Sequence, residues 1–177
     1  VVLKESVEQL LAFIYERLAG SLREQGYTAQ EVDAVLSLNL QNLSDIPKRL
    51  AAVRAFTALP EAVSLAAANK RVGNILKKTA DVISAQVDVS LLQESAEQTL
   101  HQALVDMLPI TDKAFAAGDY TTSLQTLAAL KSPIDTFFNH VMVNAEDESL
   151  RKNRLALLAQ LHQVMNRVAD ISKLATT

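Results

Sequence analysis

The sequence predicts an all-α fold, a single helical bundle of about seven or eight helices, on three observations. Hydrophobic residues fill 49% of the 177 positions, yet aromatics fill only 5% and Trp is absent. That Ala- and Leu-rich mixture suits helices packed closely on one another better than a sheet core. Apolar residues also recur at steps of three and four through most of the chain, the period of an amphipathic helix. Finally, four Gly and four Pro are too few for many turns or long linkers. Residues 1–177 are therefore expected to form one domain, and no repeat that would mark a solenoid is visible.

Each element has its own start and stop. Leu3, Val7, Leu10, Leu11, Ile14, Leu18 and Leu22 form one stripe of a first helix over 3–25, which Gly26 ends. Thr28 and Glu31 make a capping box for a short second helix through Val32, Val35 and Leu36. Ser44, Asp45 and Pro47 open a third helix running to about Ala58. Pro60 opens a fourth over 61–81, with Leu65, Ala68, Val72, Ile75 and Thr79 turned inward. Ser90 and Gln93 read as another capping box before a long fifth helix to about Ala117, kinked at Pro109. Gly118 breaks it, and Asp119 caps a sixth helix through Leu124, Leu127 and Leu130. Ser132-Pro133 starts a seventh, and the last begins near Asp147 and carries Leu150 through Val168. Val141-Met142-Val143 is the best strand candidate and is too short to count.

Composition removes several function classes. Without cysteine there is no disulfide scaffold, thiolate nucleophile or Cys-ligated zinc, which fits a reducing cytosol. No apolar run reaches the length of a membrane span, so no membrane partner is expected. The chain opens inside a helix without an initiator Met and is expected to be a fragment of a larger subunit. A net charge of −3 means that any nucleic-acid role must rest on a local patch.

The search for catalytic chemistry finds little. His101, His140 and His162 lie on three different helices without a second ligand at helical spacing, and the glycines are too isolated for a phosphate loop. Glu146-Asp147-Glu148 reads as helix-capping acids rather than a metal site. Of Phe137 and Phe138, one ring is expected in the core and the other at its edge. No catalytic residue and no metal ligand is assigned.

Cations sort by neighbours three or four positions away on their own helix. Arg49 has Asp45, Lys77 has Asp81, Lys131 has Asp135, Arg151 has Asp147 and Lys152 has Glu148. Arg17, Arg23, Arg54, Lys70, Arg71 and Arg154 have no such acid. With Val72 and Ile75 inward, Lys70, Asn74 and Lys77 share an exposed edge, flanked by Arg71 and Lys78. Cations bind phosphates, and Asn amides pair with base edges. An ordinary solvated face explains the same spacing, so both readings stay open here.

Beyond spacing, longer stretches resemble a known family. Ala58-Leu59-Pro60-Glu61, then Ala66-Ala67-Ala68-Asn69-Lys70-Arg71-Val72 and Asn74-Ile75-Leu76-Lys77-Lys78, are similar to the C-terminal domain of bacterial glycyl-tRNA synthetase beta subunits. So are residues 134–143, Ala145-Glu146-Asp147, Arg151-Lys152-Asn153-Arg154-Leu155 and Val168-Ala169-Asp170-Ile171-Ser172, and the opening helix with Phe13-Ile14-Tyr15-Glu16-Arg17-Leu18 agrees. The pattern also resembles the helical anticodon-binding domain of arginyl-tRNA synthetases, called DALR. His140 and Asn144 depart from the family pattern, which often has another Met near 144, so neither is carried over as a contact.

The resemblance implies a cytoplasmic bundle that grips the anticodon stem and loop of glycine tRNA, with no active site or cofactor of its own. It implies that ATP and Mg²⁺ are used on a separate alpha subunit, and that the chain's partners are tRNA, the rest of the beta subunit and that alpha subunit. The isolated domain is expected to be monomeric. The tRNA-binding set is expected to be Asn69, Lys70, Arg71, Asn74, Lys77 and Lys78, flanked by Arg17 and Arg154. The rival reading is a protein-interaction module for subunit assembly that never touches RNA.

Overall fold

The computed structural model describes residues 2–40, 42–81, 83–84 and 86–175. Eight α-helices and four short 3-10 turns account for about three quarters of them, and no strand occurs among the described residues. The helices are α1 (Val2–Glu24), α2 (Ala29–Leu36), α3 (Ile46–Thr57), α4 (Ala62–Lys78), α5 (Ser95–Ala116), α6 (Tyr120–Gln125), α7 (Lys131–His140) and α8 (Glu148–Met165). No single helix among the described residues is long and apolar enough to cross a membrane.

Local sequence signals set several boundaries where they were expected. At the end of α1, Gly26 takes a φ of 91°, its N–H reaches Arg23 O and the Tyr27 N–H reaches Leu22 O. Gly118 repeats the arrangement after α5, with Asp119 N bonded to Ala114 O at 2.9 Å. Both satisfy carbonyls that a helix end leaves open, at a backbone angle glycine tolerates best. The Thr28–Glu31 box closes in both directions, at 3.1 and 2.8 Å. Asp147 Oδ1 accepts from Ser149 N and Leu150 N, as the capping reading of the acidic run required.

Other boundaries move. Val89–Leu91 is a separate 3-10 turn under Asp88, and α5 begins only at Ser95, where Glu97 reaches back to Glu94 N at 2.8 Å. It continues through Pro109, whose missing N–H falls on the exposed side beside Val105. Ser132 caps nothing, because α6 tightens into the 3-10 turn Thr126–Leu130 and passes straight into α7. The fourth helix stops at Lys78, three residues short of the predicted end, as Thr79 extends and its hydroxyl accepts from Asp81 N.

Packing follows the apolar stripes. Phe56, Leu50, Leu65, Leu100, Leu130 and Phe137 are almost wholly removed from solvent, each side chain of this kind stabilising by about 1.5–3 kcal/mol on burial. α3 lies on α6, and α5 lies on α6 and α7. α4 packs against α8 and against the C-terminal 3-10 turn Ile171–Leu174, which also rests on α2. That tail is pinned: Asp170 N donates to Ala34 O at 2.7 Å, and the Arg49 guanidinium donates to Arg167 O and Val168 O.

α1 behaves differently. It rests on α2, yet Val7, Leu10, Leu11 and Phe13 remain at least half exposed, and among its described side chains only Leu22 is buried. The predicted stripe is therefore real as a pattern but covered only at its C-terminal end. Leu3, also part of it, has its side chain outside the described residues.

Candidate nucleic-acid interface

The geometry of α4 follows from its sequence. Leu65, Ala66, Asn69 and Val72 recur at helical spacing and are buried, with Ala68 and Ile75 half-buried beside them. The opposite side must then carry Lys70, Arg71, Asn74, Lys77 and Lys78, and all five are exposed. None of the four cations forms an ion pair among the described residues. Lys77 and Lys78 occupy the last turn, where positive charge also complements the helix dipole.

The chain is acidic overall, so this ridge depends on where the carboxylates go. Asp81, the acid that local spacing gives to Lys77, instead accepts from Arg151 at 2.8 Å. The Arg151 guanidinium beside it holds the Asp81 carboxyl below its ordinary pKa. Asp147, which spacing gives to Arg151, caps α8. Arg49 turns inward to backbone carbonyls, while Asp45 accepts from the Tyr120 hydroxyl. Only Lys131–Asp135 and Lys152–Glu148 pair as their spacing predicts.

Two predicted contact residues are displaced by the fold. Asn69 is fully buried, and its amide exchanges hydrogen bonds with that of Asn166 at 2.7 and 3.0 Å. It clasps α4 to the end of α8 and presents nothing to a base. Arg154 is only 6% exposed. It bonds Glu97, 57 residues earlier, at 2.8 Å, and donates to Met142 O at 2.8 Å. Arg23 and Arg54, also without a local acid, find Asp33 and Glu31 across the fold. Arg17 is exposed and sits on α1 beside the Phe13 ring, not on the helix that carries the other cations.

The structure adds contacts that spacing on one helix did not give. Arg71 lies over the Phe138 ring, its Cζ 3.9 Å from the centroid. Phe137 is in the core and Phe138 at its edge, as expected, meeting edge to face at 5.5 Å. On one flank of the ridge, a hollow of about 550 Å³ is bordered by Lys70, Asn74, Lys77, His162 and Lys173. Lys173 comes from the C-terminal turn, and the Asp170 carboxylate borders the same hollow. His162 touches the space that a side chain on Gly73 would fill, 3.3 Å away. Burial pushes the His162 pKa below its ordinary value; Asp170 opposes that shift and Lys77 adds to it.

On the other flank, a hollow of about 430 Å³ lies between α4 and the loop 141–147. Among the described residues, no group of three His, Asp or Glu side chains comes together to hold a metal ion. The arrangement offers exposed cations, an exposed amide and a guanidinium over a ring, which are the means of binding a polyanion carrying planar groups.

The family model described as "DALR anticodon binding domain" matches residues 65–175, which begin on α4 and end at the C-terminal turn. The chain is 66% identical over 172 residues to the "Glycine--tRNA ligase beta subunit" of Dechloromonas aromatica, covering 97% of this chain and 24% of that protein. It is 63% identical over 173 residues to the protein of the same name from Delftia acidovorans, covering 98% and 25%. For that of Methylobacillus flagellatus the identity is 67% over 163 residues, covering 92% and 23%. The chain thus spans about a quarter of the length of the curated relatives it matches.

Proposed function

The chain belongs to the DALR anticodon-binding domain family, and from that premise we propose that it holds the anticodon arm of glycine tRNA. It does so in the cytoplasm, as part of the beta subunit of a glycine–tRNA ligase. The observation that carries this reading is the α4 ridge, where Lys70, Arg71, Lys77 and Lys78 are exposed and without ion pairs among the described residues.

Phosphates of the arm lie along those four cations, and the release of their counterions supplies most of the affinity. Asn74, an exposed amide among them, hydrogen-bonds a base edge in the unpaired loop, where the edges of RNA bases are accessible. Affinity rests on the charges and selectivity on the base contacts. Amino-acid activation, with ATP and Mg²⁺, belongs to the alpha subunit, and this chain's part is to place the tRNA.

The test is binding of glycine tRNA by the beta subunit, compared with the same tRNA carrying an exchanged anticodon. Losing base-edge pairs should weaken binding by about tenfold or more. Equal affinity would remove the anticodon from the contact.

The protein-interaction reading finds support at a different place, on α1. Its exposed Val7, Leu10, Leu11 and Ile14 form an apolar face, continued by a groove against Leu36, Leu40 and Leu43. Relatives are about four times longer than this chain. The reading is that the rest of the same subunit packs on this face, alongside RNA binding at α4 rather than in place of it.

A further inference from the structure

We infer that the hollow between the second half of α4 and the loop 141–147 seats one unstacked nucleotide, its base lying on the free face of the Arg71 guanidinium. This rests on the RNA-binding reading above and deepens it.

Arg71 borders two hollows. One is shared with Phe138, Ala67, Ala68 and Asn139. The other, of about 430 Å³, is bordered by Ile75, Lys78, Val141, Met142 and Leu155 and not by Phe138. The Phe138 ring lies against the Arg71 guanidinium and borders the first hollow, while the second hollow reaches Arg71 without Phe138 on its border. A planar, weakly hydrated cation already stacked on a ring is a preordered surface for a second planar group. Phe138 is itself braced by the fully buried Phe137, so the stack has a fixed base.

The rest of the hollow suits a nucleotide better than a purely charged or purely apolar ligand. Val141 and Leu155 are buried and Ile75 half-buried, giving an apolar floor. Met142 is 73% exposed and stands at the rim, free to lie over a ring. Lys78 is exposed at the same hollow and meets the phosphate that a seated base brings with it.

The wall is held in place before anything binds. From α8, Arg154 donates to Met142 O at 2.8 Å and Arg151 to Ala145 O at 3.0 Å. Each arginine is anchored in turn by an acid, Glu97 for Arg154 and Asp81 for Arg151. Arg154 is thereby a positioning residue: it keeps the loop open beside Arg71 without touching the ligand.

The experiment uses the full beta subunit and an RNA stem-loop of the glycine anticodon arm carrying a fluorescent purine analogue in its loop. Arg71→Lys keeps the charge and removes the plane. It should weaken binding by about tenfold with an unchanged salt slope, and alter the analogue's fluorescence in the complex. Phe138→Leu should cost a similar factor, and the double variant little more than either alone, because both remove one stack. Affinity of Arg71→Lys within about twofold of the parent, with the analogue's signal unchanged, would overturn the nucleotide seat. Lys70→Ala/Lys77→Ala in the same assay separates the two levels. A shallower salt slope there with no effect of Arg71→Lys leaves the ridge and removes the seat, whereas no effect of any variant removes both.

Discussion

α1 and α4 are written in the same code and end in opposite situations. Both place apolar residues at steps of three and four, yet α4 buries Leu65 and Val72 to within 1% while Leu10 and Phe13 on α1 stay 58% exposed. Periodicity states which residues share a face and not what will lie against it. On α4 the apolar face meets α8 and the C-terminal turn, so the cations are left outside. On α1 the apolar face from Val7 to Phe13 is left outside. Each exposed face is unsatisfied in its own way, one calling for anions and the other for apolar surface.

The comparison can be broken first at the residues that hold α4's surroundings. Arg154 and Glu97 form a pair almost wholly out of solvent. Glu97→Ala leaves an uncompensated buried charge and should cost about 3–5 kcal/mol, read by chemical denaturation. A loss below about 1 kcal/mol, the scale of surface pairs, would mean that Arg154 reaches solvent easily and belongs with the exposed cations after all.

Asn69 sharpens the same point. As a clasp to Asn166, its replacement by Ala should destabilise by about 1–3 kcal/mol through an unpaired buried amide, with RNA affinity intact at a temperature where the variant is folded. A base-reading residue would show the reverse: unchanged denaturation and weaker binding.

These two corrections show where the sequence stops being legible. Gly26, Gly118, the Thr28–Glu31 box and the Asp147 cap were readable because partners lie within about five residues and geometry leaves few options. The outward set Lys70, Arg71, Asn74, Lys77 and Lys78 was readable for the same reason, since it follows from Val72 and Ile75 pointing inward. Glu97 and Arg154, Glu31 and Arg54, and Asp81 and Arg151 are 57, 23 and 70 residues apart. Spacing on one helix says nothing about them, so a cation without a local acid was indistinguishable from one with a distant acid. Phe138 was placed at the core's edge, but that Arg71 covers it depends on how α7 meets α4.

For α1, Leu10→Ser/Phe13→Ser should leave the stability of this chain unchanged within about 0.5 kcal/mol, as exposed positions do. In the full-length subunit the same pair should lower the melting temperature or open a protease site near α1. A large loss in the chain alone would show that the face is already used within it.

The smallest effect concerns pH. Burial keeps His162 below its ordinary value of 6.5, so the folded chain takes up its proton less readily than the unfolded one. Stability should therefore decline as pH falls below about 6.5 and be flat above it. His162→Gln should flatten that decline in denaturation curves taken across the range, and an unchanged pH profile would show that His162 titrates freely in the folded chain.

The salt dependence of RNA binding bears most directly on the exposed ridge of α4. In Lys70→Ala/Lys77→Ala the plot of log affinity against log salt should become shallower by about 1.5, two phosphate contacts at about 0.7–0.9 each, with the fold intact by circular dichroism. An unchanged slope together with unchanged affinity would contradict the assignment of α4 as the helix that meets the RNA.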